Sequence, residues 1–283
     1  MKTERSLESR RKSEAFVRGL SALATGLTVT VLGSVLLSVL GYGARGLSLS
    51  TLTALPRPPG VAGGGVVNAI VGTLLLVALA CALALPVGLF AGVHLAETRS
   101  GWLVRLARTS ADALAAVPSV VFGIFVFGVL VVHLKHFSAL AGASALALTM
   151  IPTVARATEV AVRAVPERLR EAALALGATQ FRVITRVVLP SASRGIATGV
   201  LLAVGRASGE AAPLLFTAWE SRFFCDDLRE PTASLPVTIF TYSISPYDDL
   251  HAQAWAAALV LVALVLVFQV AARLLSRRRD VSP

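Results

Sequence analysis

The chain has 283 residues, of which 55% are hydrophobic and only 15% charged, and its mean hydropathy is +0.76. A soluble domain is about 45–50% apolar with roughly a quarter of its residues charged, so a soluble, disordered or fibrous chain is excluded. The formal net charge of +10 would ordinarily point to nucleic acid, but the apolar content decides first where that charge sits.

Apolar runs long enough to cross a bilayer as helices occur at about residues 18–42, 67–92, 113–134, 138–162, 196–217 and 252–272. Each approaches or exceeds the ~20 residues that a hydrocarbon core requires. They are rich in Leu, Ala, Val and Gly and lack the strict alternation of barrel strands. The expectation is an all-α polytopic membrane protein of six transmembrane helices. The first run follows a basic N-terminus, but it is longer than the about 7–15 residues of a signal-peptide core and reads as retained.

Charge orients the bundle. Lys and Arg number six in 1–18, three in 93–112, seven in 155–195 and four in 273–283; the alternate loops hold two, one and two, and Arg206 lies within a span. That is 20 against 5 with one inside, all 26 in total. The positive-inside rule then places both termini in the cytoplasm. The basic excess is topological, and no clustered soluble basic domain exists to bind nucleic acid.

The segment 43–65, with Pro56, Pro58, Pro59 and the glycines between Gly60 and Gly65, reads as an irregular outer loop. Its glycines are no nucleotide cradle: the lysines are Lys2, Lys12 and Lys135, none follows a glycine, and a Walker A motif is absent. This chain is expected to bind no cofactor and no metal. The histidines His94, His133, His136 and His251 read as polar residues at segment ends, and Cys81 and Cys225 match no metal or disulfide pattern. In span three, Ser119 either lines a path or follows a Pro118 that kinks the helix. The segment 218–250 reads as the longest outer loop, its Asp226, Asp227, Asp248 and Asp249 as solvated charge.

The inner loop 155–195 is the most patterned polar stretch. Pro166 suits a first helical turn. Leu169, Ala172, Ala173 and Leu176 recur at helical spacing, Gly177 follows where left-handed backbone is expected, and Thr179 caps a second helix. That helix is expected to present Phe181, Ile184 and Val188 on one face and to be interrupted at Pro190. On physics alone the pair lies on the lipid surface or docks into a partner. Arg156 and Glu159, just before it, read as an inner gate or as an interfacial cluster.

Span five is chemically odd. Arg206 falls at its middle, where an arginine costs about 2.5–3.5 kcal/mol on insertion scales, and Glu210 follows one turn later on the same face. Gly205 and Gly209, also four apart, would permit close helix approach. The pair is either an internal ion pair that fixes packing or an anion site on a translocation path. In the second case the guanidinium fork suits oxyanion oxygens, and Glu210 holds it in place.

Glu171-Ala172-Ala173, three residues, Gly177, nine residues, Val187, one residue and Leu189-Pro190 resemble the EAA loop of bacterial ABC-importer permeases; the family usually has Ile at Val187. Pro118 to Gly123, the run Pro152, Arg156, Glu159 and Pro166, Gly205 to Thr217 and Ser234 to Phe240 are similar to phosphate-importer permeases, the last two closest to the PstA-type subunit. Ala211 departs from a common Thr. The resemblance covers about residues 66–272. It implies a type I ABC-importer permease fold in a bacterial inner membrane, with a permease domain over 66–273. Residues 1–65 would hold the cytoplasmic N-terminus, first helix and outer loop, and 274–283 a basic cytoplasmic tail. The implied partners are a homologous second permease subunit, two ATPase subunits that use ATP and an external phosphate-binding protein, besides membrane lipid. Glu171, Ala172, Ala173, Gly177, Leu189 and Pro190 would couple to the ATPase, and Arg206, Glu210, Ser119 and Arg156 would line the substrate path. The chain itself would catalyse no reaction. The rivals are a permease for molybdate or sulfate and a stand-alone secondary transporter.

Overall fold

The computed structural model describes residues 2–58, 60–61, 63–98 and 101–277. Among them are helices and turns with no strand, so the all-α expectation holds. Helix α1 (Lys2–Gly46) and the short α2 (Leu49–Thr53) lead into α3 (Val67–Glu97). The supposedly irregular loop 43–65 therefore contains α2, which Ser48 and Thr51 close with a capping box. Five helical stretches are long and apolar enough to span a bilayer, and a bent pair makes up to six.

The bent pair corrects span three. Helix α4 (Trp102–Ala116) meets α5 (Ser119–Val126) at 101°. Pro118 stands between them with extended ψ, having no N–H to continue a helix. A π turn, Phe127–Val131, carries α5 into α6 (Val132–Leu134). The third apolar run is thus a broken element, Trp102–Ala116 with Ser119–Leu134, which only together is long and apolar enough to span.

Helix α7 (Ala139–Arg163) is the centre of the bundle, lying along α3 on one side and α10 (Leu189–Ser208) on the other. Small residues set these approaches. Gly88 faces Val154 and Gly92 faces Thr158, so α3 and α7 run in one direction. Gly195 faces Ala161 and Gly199 faces Ala157, so α10 runs against them. A Cβ at Gly199 would collide with that of Ala157. Leu76, Leu146, Met150, Val154, Ala203, Ala207 and Leu214 form the largest buried cluster, to which Cys81 and Cys225 are peripheral.

Between α7 and α10 lie α8 (Glu167–Ala175) and α9 (Gln180–Val183). Pro166 caps α8 rather than opening its first turn. Pro190 does not interrupt the chain. A π turn over Ile184–Val188 bonds Leu189 N–H to Ile184 C=O, and the wider turn carries the helix past the proline. One continuous stretch therefore runs from Gln180 to Ser208, beginning well before the expected residue 196. It stops at Ser208. Gly209 to Ala211 break it, and a single turn, α11 (Ala212–Leu215), continues outward to Thr217, whose carbonyl accepts from Ser138 N–H at the start of α7.

The segment 218–250 is more than a solvated loop. It contains α12 (Leu235–Ser243), whose first turn is buried and whose Leu235 N–H donates to Thr73 Oγ1 of α3 at 2.8 Å. Helix α13 (Asp248–Arg277) closes the bundle against α12, α10 and α1. Residues 278–283 of the basic tail lie outside the described residues.

Candidate functional site: a broken helix at mid-bundle and a charged cluster on α7

Arg206 sits in the last turn of α10, not at the middle of a continuous helix. Its depth is nevertheless central. Helices α10 and α7 advance past each other at equal rise. With Gly199 opposite Ala157, Arg206 falls level with residues near Met150, the middle of Ala139–Arg163. The break at Gly209–Ala211 is therefore inside the bundle. Irregular backbone at that depth is tolerated only where protein or a water-lined cavity surrounds it, and discontinuous helices are a recurring way to build transporter sites.

Glu210 reaches back across the break: Arg206 Nε lies 3.3 Å from Glu210 Oε1. The side chains differ sharply, Arg206 being 61% exposed and Glu210 16%. The guanidinium spends one of its five donors on this partner. Gly205 lies against Val265 and the Gln269 amide of α13, whereas Gly209 approaches nothing but its own helix. Close packing is thus Gly205's role alone. Gln269 was missed in the sequence, although it is, with Gln253 at the start, one of two amides in the apolar run 252–272.

Arg156 belongs to a second cluster, nearer the other end of α7. Glu159 has a side chain only 2% exposed and three arginines converge on it. Arg156 Nη1 lies 2.8 Å away, Arg108 Nη2 3.0 Å and Arg163 Nη2 3.0 Å. Arg156 also pairs with Asp112 at 3.6 Å. Arg108 and Arg163 both donate to Leu95 C=O in the last turn of α3. The cluster ties α3, α4 and α7 together. The 156/159/163 spacing is legible as one helix face, but Arg108 arrives from another helix and no local pattern announces it. Ser119 opens the first turn of α5 and is half-buried. The path residues are therefore not one constellation: Arg206 and Glu210 meet, and Arg156 pairs elsewhere.

The helix–glycine–helix element forms as read. Gly177 has φ +81°, a left-handed value that a Cβ disfavours. Ala178 N–H bonds Ala173 C=O and Gly177 N–H bonds Leu174 C=O, a Schellman closure. Thr179 Oγ1 accepts from Arg182 N–H. Arg170 fixes α8 to the bundle, 2.6 Å from Glu97 Oε1 and donating to Val162 C=O. These three residues, beside a cleft of about 990 Å³ at the ends of α3 and α7, were not singled out from the sequence. The expected face of α9 is corrected: Val183 and Val188 are buried, while Phe181 is 74% exposed, because the π turn shifts the register. Glu171, Ala172 and Gly177 are exposed, Ala173 and Leu189 half-buried, and Pro190 exposed on the far side of the π turn. Leu176 is 89% exposed.

At the end of the bundle opposite the Glu159 cluster, Glu220, Arg222, Arg57, Thr241 and Tyr242 line a pocket of about 300 Å³. Burial pushes the Glu220 carboxyl up, against the lowering effect of Thr241 and Arg222. Burial, with Glu220 nearby, pushes the Tyr242 phenol up to about 12.

Residues 84–281 match the family model described as a binding-protein-dependent transport system inner membrane component. The chain belongs to that family. It is 41% identical to the phosphate transport system permease protein PstA of Yersinia pestis over 96% of this chain and 95% of that one. It is also 37% identical to a probable PstA of Methanocaldococcus jannaschii, over 93% and 92%. Within the family it is a PstA-type permease. Among solved structures, the permease resembles the MetNI methionine ABC transporter in inward-facing form, with TM-score 0.60, 23% identity and coverage of 76% and 94%. It also resembles a bacterial alginate ABC transporter in complex with an alginate-bound periplasmic protein, with TM-score 0.69, 16% identity and coverage of 94% and 96%. These likenesses establish the type I ABC-importer permease fold, a multi-pass membrane architecture.

Proposed function

We propose that this permease forms half of the translocation path of an ATP-driven phosphate importer. The observation that carries the reading is a half-exposed guanidinium, Arg206, at mid-bundle depth beside a helix break. A charge at that depth faces a water-filled path or a partner, not lipid. A planar fork of donors fits a tetrahedral oxyanion. Glu210 orients Arg206 and lowers the tendency of an empty path to trap anions. Phosphate, rather than sulfate or molybdate, is supported by the names of the PstA relatives.

The permease domain is taken as 66–273, with 1–65 and 274–283 as the flanking segments. Both termini lie in the cytoplasm of a bacterial inner membrane, on the strength of the 20-to-5 charge division. The chain binds no cofactor and catalyses no reaction; two ATPase subunits hydrolyse ATP. The exposed loop of α8, Gly177 and α9 docks into one of them. A second, homologous permease completes the path, and an external phosphate-binding protein delivers the anion. Ser119 and Arg156 are further residues of that path.

The test is phosphate uptake at micromolar supply by cells lacking this chain. High-affinity uptake should be lost and should return with the wild-type gene. Intact phosphate uptake with lost sulfate or molybdate uptake would assign the other oxyanion.

A further inference from the structure

The arginine cluster around Glu159 borders an apolar cleft that the transport reading leaves without a role. The cleft has a volume of about 220 Å³ and lies between α3, α4 and α7. Leu95, Ala107, Leu114, Ile151, Pro152 and Ala155 form most of its wall. The cluster lies one helical turn beyond it on α7, Glu159 following Ala155 by four residues, although none of its charged side chains is among the cleft's lining residues. Ala107 precedes Arg108, Ala155 precedes Arg156, and Leu95 carries the carbonyl that Arg108 and Arg163 share.

Two features fit one kind of occupant. The first is charge. Three guanidiniums surround two carboxylates, Glu159 and Asp112, which leaves one positive charge. Each guanidinium has five N–H donors, and the contacts of Arg108 and Arg163 with Glu159 and Leu95 use only some of them. The second is shape. Helix α4 lies at 101° to the Ser119–Leu134 stretch and exposes Trp102, Leu103 and Leu106 on its outer face. An amphipathic helix of this kind lies along a bilayer surface, with aromatic and apolar groups in the headgroup boundary. Basic pockets between spanning helices on the cytoplasmic side suit anionic headgroups. A free anion gains nothing from an apolar wall beside the charge, whereas a phospholipid fills both.

We propose that the cleft and the adjoining Arg108 and Arg163 bind one anionic phospholipid of the inner leaflet, its acyl chain against α3, α4 and α7 and its phosphodiester on these two guanidiniums. The assignment of leaflet rests on the orientation given under the proposed function, not on which anion is transported. Glu159 is the anchor: buried itself, it gathers the cations one helical turn beyond the cleft without neutralising them all.

The test uses the complete transporter in nanodiscs of phosphatidylcholine. A trace of phosphatidylglycerol carrying a photoreactive group on its acyl chain serves as probe, and adducts are mapped by peptide sequencing. Adducts on residues 103–116 and 151–155 should exceed those from the matching phosphatidylcholine probe several-fold. Arg163→Gln should lower them through the headgroup, and Ala107→Phe should lower them by filling the cleft while leaving every charge in place. Equal labelling by the two probes would overturn the proposal, and that wild-type comparison stands even if a variant fails to assemble. Loss of labelling on adding millimolar inorganic phosphate would show that the cluster takes the free anion instead. Absence of adducts, with Leu114→Cys cross-linking to the second permease, would show a protein in the cleft. Adduct mapping does not depend on transport, so failure of the phosphate assignment would leave these outcomes readable.

Discussion

The two charged regions of the bundle solve opposite problems with the same residue types. At the break in α10, one arginine has one acid partner and remains 61% exposed. Near the C-terminal end of α7, one acid has three arginine partners and is almost wholly buried. The first arrangement leaves a cation available at a depth where cations are expensive. The second saturates its acid and ties three helices together. The contrast separates a cation left open at mid-bundle from an acid that gathers its cations and ties helices together, more firmly than residue type does, since both regions read from the sequence as an Arg–Glu pair.

The largest effect should come from breaking the scaffold. Glu159→Ala leaves three guanidiniums without their carboxylate. Removing one partner of a buried ion pair costs about 3–5 kcal/mol, and the lower end applies because Arg156 and Arg163 are about half exposed and solvent-screened. The variant should accumulate poorly and melt earlier in a membrane thermal-shift measurement. Normal accumulation and melting would remove the scaffold role.

Gly177→Val should act more narrowly. A β-branched side chain at φ +81° costs of order 1 kcal/mol or more. The spans should insert normally, while the ATPase copurifies less well. Undiminished copurification and uptake would separate this loop from docking.

The smallest effect concerns the pocket around Glu220. The Glu220 carboxyl is raised by burial in the folded chain. Its contribution to stability is therefore fully present below the ordinary glutamate range and is lost as pH rises through the raised value. Glu220→Gln should flatten this part of the stability–pH profile and stabilise the segment around it slightly at neutral pH. An unchanged profile would mean that Glu220 does not titrate in that window.

Much of this was legible in the sequence, for physical reasons that also explain the rest. Helix-length apolar runs fix the spans, because a bilayer demands length and composition. Gly177 and Thr179 fix the inner loop, because caps are local. What escaped was non-local or compensatory. Pro190 looked like a stop, but the π turn of Ile184–Val188 absorbs it, and this displaced both the start of the span and the exposed face of α9. The buried first turn of α12 was hidden in a segment whose acidic residues suggested solvent. Arg108 reaches Glu159 only through the bend at Pro118, which brings α4 back across the C-terminal part of α7. At the candidate site, the Arg206–Glu210 pairing was legible from spacing four, but the helix break between them was not.

The central claim is that Arg206 binds the transported anion rather than merely pairing with Glu210. The direct measurement is phosphate uptake by the double variant Arg206→Met with Glu210→Gln, in membranes where its assembly with the ATPase has been verified. It removes both charges while keeping similar volume, a replacement that structural ion pairs often tolerate. The account predicts an assembled transporter with uptake reduced at least tenfold, and impairment in Arg206→Lys as well, because a point charge on a flexible stem lacks the guanidinium fork. Substantial uptake by the assembled double variant would contradict it and leave a structural ion pair.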